Sequence, residues 1–172
     1  MDLKSFQSQV GAWSRQNFGD QGAHRPLLGL VEECAELVDA LDLMSVQQSS
    51  TARDLIADSG ADFMIFLADY CERAGYDLSK VYHMPKRPED ADTKFLLKHL
   101  GKLSRAQLKT EQNIRGGRER FTPIAEKAMS QLILQMTMLL EEHDIDLLTA
   151  VEHTWETTVS KRDWQANPED GG

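Results

Sequence analysis

The sequence contains little proline, which interrupts helices, and little cysteine, which cross-links small folds. There are 5 prolines, 2 cysteines and 3 tyrosines among 172 residues, and no stretch approaches the roughly 18 to 20 apolar residues of a membrane span. Cys34 and Cys71 fall at apolar positions of helical patterns, so we expect two buried free thiols rather than a disulfide or a metal site. The start, MDLKSFQSQVGAW, lacks the apolar core of a signal peptide, which predicts a cytoplasmic protein without a membrane partner.

The charge of the chain is acidic and unevenly distributed. The net charge of −9 argues against a nucleic-acid partner, because neutralisation of phosphates supplies most of such binding. Residues 1–85 hold 13 acidic and 6 basic side chains, whereas residues 94–120 hold eight basic and two acidic ones. A basic segment beside an acidic half suits a metal–polyphosphate ligand better than a long polyanion.

Hydrophobic periodicity predicts an all-α protein, a helical bundle of five or six helices without strands. Apolar residues recur at the i, i+3, i+4, i+7 spacing of core-facing helices. Helices are expected at about 3–17, 26–44, 52–74, 93–112, 122–143 and 146–163. The segment MPKRPEDAD (84–92) contains two prolines and predicts a linker, and the tail ANPEDGG (166–172) is expected to be frayed.

The two halves of the sequence resemble one unit written twice. AGYDLSKVYH (74–83) aligns with HDIDLLTAVEH (143–153), and ECAELV (33–38) lies over SRAQLK (104–109). Chance likeness between amphipathic helices is the alternative, but the shared Asp-Leu pair and the helix order favour duplication. We therefore predict a single domain, 1–172, built of an acidic repeat over 1–84 and a degenerate repeat over 93–165.

Two acidic clusters lie on neighbouring predicted helices. Glu32, Glu33 and Glu36 share one face of the second helix, and Asp58 and Asp62 stack one turn apart on the third. Both rows border the apolar stripes, so packing the helices together gathers carboxylates that repel one another. Such hard oxygen ligands suit Mg²⁺ or Mn²⁺. A solvated helix face is the alternative, but neither cluster has a basic i+4 partner, which favours a metal site.

The segment FQSQVGAWSRQNFGDQGAHRPLLGLVEECAEL (6–37) resembles the start of MazG-like all-α nucleoside triphosphate pyrophosphohydrolases, whose EExxE motif matches residues 32–36. The family's ExxD motif is matched in part: Ser59 stands where its glutamate would be, and Asp62 matches the aspartate. Asp58, one residue earlier, is the expected substitute ligand. The resemblance covers nearly the whole chain and implies a four-helix core, Mg²⁺, and cleavage of (d)NTP to (d)NMP and pyrophosphate.

The second half resembles the family in regions where the first half does not. LKTEQNIRG (108–116) resembles a basic loop of phage-type members, and VEHTWETTVSKRDWQANP (151–168) resembles their C-terminal tail. The positions that align with the acids carry serine or glutamine instead. The inference is a fused, asymmetric family dimer with one composite site, in which Lys109, Arg115 and Arg118 of the second half face the acids of the first.

The resemblance and the chemistry of carboxylates together assign roles to the site residues. We expect a base that orients water (Glu32), metal ligands (Glu33, Glu36, Asp58 and Asp62), phosphate contacts (Lys109, Arg115 and Arg118) and nucleobase contacts (Trp13 and Asn17). For Trp13, a plain core position is the alternative.

Three other functions stay open at this point. The two-unit layout is similar to that of dimeric-type dUTPases, and phosphoribosyl-ATP pyrophosphohydrolase shares the bundle and the acidic motif. A non-catalytic helical adaptor is the third, favoured by the incomplete ExxD motif and the degenerate second half. With two repeats in one chain, a monomer or a homodimer is expected.

Overall fold

In a computed structural model, which describes residues 1–83 and 91–168, helices joined by turns make up the described part of the chain. The helices are α1 (Leu3–Phe18), α2 (His24–Val46), α3 (Ser50–Ala74), α4 (Leu78–Val81), α5 (Thr93–Glu111), α6 (Gly117–Glu141) and α7 (Leu147–Thr157), with a 3₁₀ turn at Val159–Lys161. The prediction of an all-α protein is confirmed. No helix in the described ranges is both long and apolar enough to cross a membrane. The predicted linker and frayed tail fall largely on residues 84–90 and 169–172, outside the described residues.

Short polar side chains cap the starts of several helices. The capping residues accept a hydrogen bond from an amide of the first turn, and they are Asp2, Ser49, Asp77, Asp92 and Asp146. Each cap satisfies an amide that has no partner within the helix, which is worth about 1 kcal/mol. At the other end of α3, Gly75 adopts a left-handed conformation with φ of 73°, which glycine tolerates at a helix C-terminus.

The core lies between two helical hairpins. α2 packs along α3 and α5 packs along α6, while α2 also contacts α5 and α3 contacts α6. Helices α1 and α7 both pack on α3, which is the central helix and fully buries Phe63 and Leu67. Gly29 allows α2 to approach α3 closely, because a Cβ atom there would lie 2.5 Å from the Phe66 ring. The packing therefore fixes the acidic stretches of α2 and α3 side by side.

Three features differ from the predicted helix pattern. The one-turn helix α4 was not predicted. Helix α6 begins at Gly117 rather than near 122, because Gly116, with φ of 94°, turns the chain into the helix before Pro123. Helix α7 ends at Thr157 rather than near 163, because Thr158 leaves the helical conformation and Val159 is buried against the core. The chain after α7 consequently returns towards α1.

The two cysteines differ in their surroundings. Cys71 is buried, as predicted, and neither it nor Cys34 forms a disulfide. Cys34 is only partly buried, which corrects the prediction of two buried thiols. It lines a groove between α2 and α5.

Candidate functional site

Five carboxylate side chains gather where α2 and α3 lie side by side. Three residues, 47–49, join the two helices, so they run antiparallel and Glu33 comes level with Asp62. Glu33 is buried, with 6% of its surface exposed, and Asp62 is half-buried. Glu32, Glu36 and Asp58 are exposed around them. We call these five residues the acidic cluster.

The members of the acidic cluster act on one another electrostatically. Burial raises the pKa of Glu33 to about 8, and the other four carboxylates add to the rise, Asp62 most strongly. Burial also raises the pKa of Asp62 to about 6, with a further rise from Asp58 that Arg162 opposes. Glu33 therefore carries its proton at neutral pH, and a cation placed among these groups would favour its ionisation.

The acidic cluster offers the oxygen donors that Mg²⁺ or Mn²⁺ prefers. Within residues 1–83 and 91–168, no three His, Cys, Asp or Glu side chains are positioned to chelate a metal ion as they stand. Glu32, Glu36 and Asp58 are exposed at the rim of the cluster, where a change of rotamer meets little resistance. Ser59 is buried, and its hydroxyl donates to the carbonyl of Leu55 at 3.0 Å, so this residue does not serve as a ligand. The donor set fits a hard divalent cation only after the rim carboxylates turn inward.

A cavity of about 270 Å³ opens beside the acidic cluster. Its walls are formed by α1, α3, the start of α2 and the segment after α7, and Asp62 belongs to both the cavity and the cluster. The aromatic side chains of the lining are Trp13, Phe18, Phe66 and Trp164, and the charged ones are Arg25, Asp62, Asp69 and Arg162. An apolar, aromatic lining with a few charged groups suits a planar ring that carries a charged substituent.

Trp13 and Asn17, the predicted nucleobase contacts, occupy different positions at this cavity. Trp13 lines it, whereas Asn17 is buried behind the wall. The Asn17 side chain donates to the carbonyl of Trp13 at 2.9 Å and accepts from the amide of Trp164 at 2.7 Å. The Trp13 indole donates to the carbonyl of Arg162 at 3.0 Å. These bonds hold the segment after α7 against α1, so Asn17 positions the cavity wall.

Asp69 is neutralised within the cavity wall. Arg73 Nε donates to its two carboxylate oxygens at 2.8 and 2.9 Å, and Arg73 Nη2 donates to Ser14 Oγ at 2.7 Å. The Ser14 hydroxyl in turn donates to Asp69 at 2.8 Å, and Arg73 Nη1 donates to the carbonyl of Gln21 at 3.0 Å. This network joins α1 to α3 in the cavity wall, and removal of either charge would leave the other buried and unpaired.

Arg118, a predicted phosphate contact, lies at the end of α3. Its guanidinium donates to the carbonyl of Ala74 at 2.7 Å and lies over the Tyr76 ring at 5.8 Å. Ala74 is twelve residues beyond Asp62, a distance of about 18 Å along the helix axis. The structure therefore does not bring Arg118 to the acidic cluster.

Lys109 and Arg115 belong to the end of α5 and the turn that follows it. This end of α5 lies beside the start of α2, where His24 Nδ1 and Glu111 Oε1 are 3.4 Å apart. Glu33 is nine residues further along α2, about 14 Å away along the helix axis. A contact of Lys109 or Arg115 with phosphates at the acidic cluster stays a prediction.

Arg162 acts electrostatically on Asp62 of the acidic cluster, and its role was not predicted from the sequence. It opposes the rise in the pKa of Asp62, lines the cavity, and lies over the Trp164 ring at 5.6 Å. The signal was present in the RDW of the C-terminal segment that resembles the family tail. A helix continuing to 163 would have placed Arg162 on a helix surface, and the early end of α7 brings it to the cavity instead.

Comparison with known proteins gives no relative: no family model, curated protein or solved structure matches this chain. The side chains described above are therefore the basis for the function proposed below.

Proposed function

We propose that this chain is a MazG-like, Mg²⁺-dependent nucleoside triphosphate pyrophosphohydrolase, which cuts (d)NTP to (d)NMP and pyrophosphate. The observation that supports this most is that the acidic cluster lies next to the aromatic cavity. The acidic cluster shares Asp62 with an aromatic cavity, and Arg162 faces both. The oxygen donors suit the metal ion that binds the phosphates of a nucleotide. The cavity has the size of a nucleobase, and the cation beside it suits the remaining phosphate charge.

The acidic cluster carries the reaction in this proposal. Glu33, Glu36, Asp58 and Asp62 hold Mg²⁺ (or Mn²⁺), which when bound neutralises charge on the phosphates. Glu32, exposed at the rim, orients a water molecule and accepts its proton. The water oxygen bonds to the α-phosphorus, and the bond from that phosphorus to the α,β-bridging oxygen breaks, so pyrophosphate leaves.

The cavity binds the nucleoside in this proposal. Trp13 and Trp164 supply aromatic rings beside the base, Arg162 supplies positive charge next to Asp62, and Arg25 is a second cation of the lining. A charge-assisted hydrogen bond from either guanidinium to a phosphate is worth roughly 1.5 to 3 kcal/mol. Because Arg162 comes from the second half of the chain and the acids from the first, the site is composite.

A duplicated unit with a four-helix core is part of the same proposal. The α2–α3 and α5–α6 hairpins correspond in order and packing, and together they would form the core. Asp77 and Asp146 each cap the helix that follows their hairpin, and Leu78 and Leu147 are both buried. These matched positions support an origin of 1–84 and 93–165 from one repeat.

A non-catalytic helical adaptor is the second candidate. It is favoured by the inward-turned Ser59 hydroxyl and by the lack, in the described ranges, of three side chains already positioned to chelate a metal. In that function the fold and the aromatic cavity would be kept for binding alone, without turnover.

The proposal is tested by assaying a panel of canonical and damaged (d)NTPs with Mg²⁺. Pyrophosphate and orthophosphate are measured separately. We expect pyrophosphate and monophosphate as the primary products, loss of turnover in Glu36→Gln, and normal turnover in Glu156→Gln, which changes an exposed glutamate of α7. Turnover of dUTP alone would indicate a dUTPase, and turnover of phosphoribosyl-ATP alone would indicate its pyrophosphohydrolase. Diphosphate with orthophosphate would contradict the reaction, and Mg²⁺ binding with no turnover would favour the adaptor.

A further inference from the structure

The connection between α1 and α2 contributes to the wall of the aromatic cavity. It consists of residues 19–23, and Gln21 at its centre lines the cavity. The hydrogen bonds of a helix do not fix the main chain of such a connection, so contacts with other parts of the fold must fix it. The position of Gln21 therefore depends on what holds this connection.

Arg73 holds the connection from α3. Its Nη1 donates to the main-chain carbonyl of Gln21 at 3.0 Å, and Nη1 and Nη2 both donate to the carbonyl of Gly19 at 3.4 Å. The other bonds of this guanidinium go to Asp69 and Ser14, and only 3% of the Arg73 side chain is exposed. Because a guanidinium directs its N–H groups in a rigid fork, Arg73 sets the distance between α3 and the main chain of the connection.

Main-chain bonds fix the two ends of the same connection. The amide of Gly19 donates to the carbonyl of Arg15 at 2.9 Å, and the amide of Arg25 donates to the carbonyl of Gly22 at 3.0 Å. Together with the bonds from Arg73, they restrain the main chain on both sides of residue 21. The side chain of Gln21 consequently starts from a fixed point at the cavity.

The side-chain amide of Gln21 is available to a ligand. The hydroxyl of Ser14 and the carboxylate of Asp69, which also line the cavity, are bonded to each other and to Arg73. In contrast, the half-buried side chain of Gln21 forms no hydrogen bond with residues 1–83 or 91–168. Among the uncharged lining residues in these ranges, Gln21 alone keeps both a donor and an acceptor free.

A primary amide is suited to the edge of a nucleobase. Base edges carry donors and acceptors on neighbouring atoms, and a glutamine amide can form two hydrogen bonds with such an edge. Aromatic walls by themselves do not select a base, because every base has an aromatic face that can stack. A polar group at a fixed position does select, because a base with a mismatched edge leaves buried polar groups unpaired.

We propose that Gln21 determines which nucleobase the cavity accepts, and that Arg73 positions Gln21 through the main chain of the α1–α2 connection. Gln21 forms hydrogen bonds with the edge of the base, whereas Arg73 acts through Gln21 and does not touch the base. This inference rests on the proposed function in one respect, that the cavity binds a nucleoside. It does not require turnover.

Equilibrium binding of dAMP, dGMP, dCMP and dTMP to the full chain tests the role of Gln21. The indole N–H signals of Trp13 and Trp164 in NMR spectra report on the cavity. We expect the Kd values of the unmodified protein to span about tenfold or more. Gln21→Leu should weaken the tightest ligand about tenfold and the weakest by less than about threefold, so the span contracts. Gln48→Leu, an exposed substitution of the same kind in the α2–α3 turn, is the matched control and should leave all four Kd values unchanged.

Arg73→Lys tests the positioning. It keeps a positive charge beside Asp69, but a single ammonium group cannot replace the fork that holds the connection, so the span of Kd values should contract as in Gln21→Leu. Circular dichroism and the urea midpoint check that the variant is folded. If Arg73 only stabilised the fold, the variant would change the four Kd values by one common factor, and that result would overturn the positioning role.

The remaining outcomes separate this inference from the enzymatic function. Equal Kd values in the unmodified protein, or a span that Gln21→Leu leaves unchanged, would overturn the role of Gln21 even if the chain releases pyrophosphate from (d)NTP. Selective binding that Gln21→Leu abolishes, without any release of pyrophosphate, would support this inference and contradict the enzymatic function. Binding of none of the four monophosphates would overturn this inference together with the nucleoside cavity.

Discussion

Glu33→Gln is expected to stabilise the metal-free protein, and more so as the pH rises. Burial and the neighbouring carboxylates raise the pKa of Glu33 from 4.5 to about 8. Because the folded state holds this proton more tightly than the unfolded state, the free energy of unfolding falls as the pH rises from 4.5 towards 8. Over the span from 4.5 to about 8, at about 1.4 kcal/mol per pH unit, the loss approaches about 5 kcal/mol. Glutamine keeps the shape of the side chain but does not ionise, so the variant avoids this loss.

Urea denaturation in the presence of a chelator measures this effect. The difference in free energy of unfolding between Glu33→Gln and the unmodified protein should be small near about pH 5 and reach about 5 kcal/mol near about pH 9, or roughly 10 to 20 °C in Tm. Glu156→Gln, an exposed substitution of the same kind on α7, should show no such trend. A difference that stays constant with pH would refute a protonated, buried Glu33. Excess Mg²⁺ should reduce the pH dependence of the unmodified protein if the acidic cluster binds it.

Further predictions concern the other charged side chains of the site. Asp62→Asn should abolish turnover of (d)NTP without lowering the urea midpoint, and full turnover would contradict its role as a ligand. Arg162→Ala should raise KM by about tenfold to a hundredfold, and Lys109→Ala assayed beside it shows whether Lys109 also contacts phosphate. Asp69→Ala leaves its buried arginine partner unpaired and should lower the free energy of unfolding by about 3 to 5 kcal/mol. Lys80→Ala, which breaks an exposed ion pair, should cost less than about 1 kcal/mol.

The helical hairpin that carries the acids was predictable from the sequence because its signals are local. The apolar stripes of α2 and α3 have helical spacing, Ser49 caps α3 and Gly75 ends it. Once two amphipathic helices are joined by a short turn, their apolar faces must meet, and acids that border those faces come with them. The electrostatic contact between Glu33 and Asp62 follows from this rule alone.

The cation of the site was not predictable in the same way, because contacts between distant residues decide its position. The sequence of α7 continues with helix-compatible residues, yet the helix ends at Thr157. The segment that follows is held by Asn17 and Trp13, which are about 150 positions away in the chain, through bonds to Trp164 and Arg162. No local pattern encodes such bonds. Lys109 and Arg115 were the stronger sequence signal for a cation, and their contact with phosphates at the acidic cluster stays a prediction.

We expect each chain to bind one nucleotide, because uncharged residues replace the acids in the second hairpin, α5–α6. Gln107 accepts a hydrogen bond from the Tyr70 hydroxyl at 2.9 Å and donates to Glu111 at 2.9 Å. The Ser104 hydroxyl donates to the carbonyl of Leu100 at 2.9 Å. These side chains are committed to bonds within the bundle and carry no charge to hold a cation, so α5 and α6 offer no counterpart of the acidic cluster. Calorimetric titration with a non-hydrolysable (d)NTP and Mg²⁺ should therefore give one site per chain, also in a dimer. Two equivalent sites per chain would mean that the second hairpin binds nucleotide without carboxylates, and the composite site would be wrong.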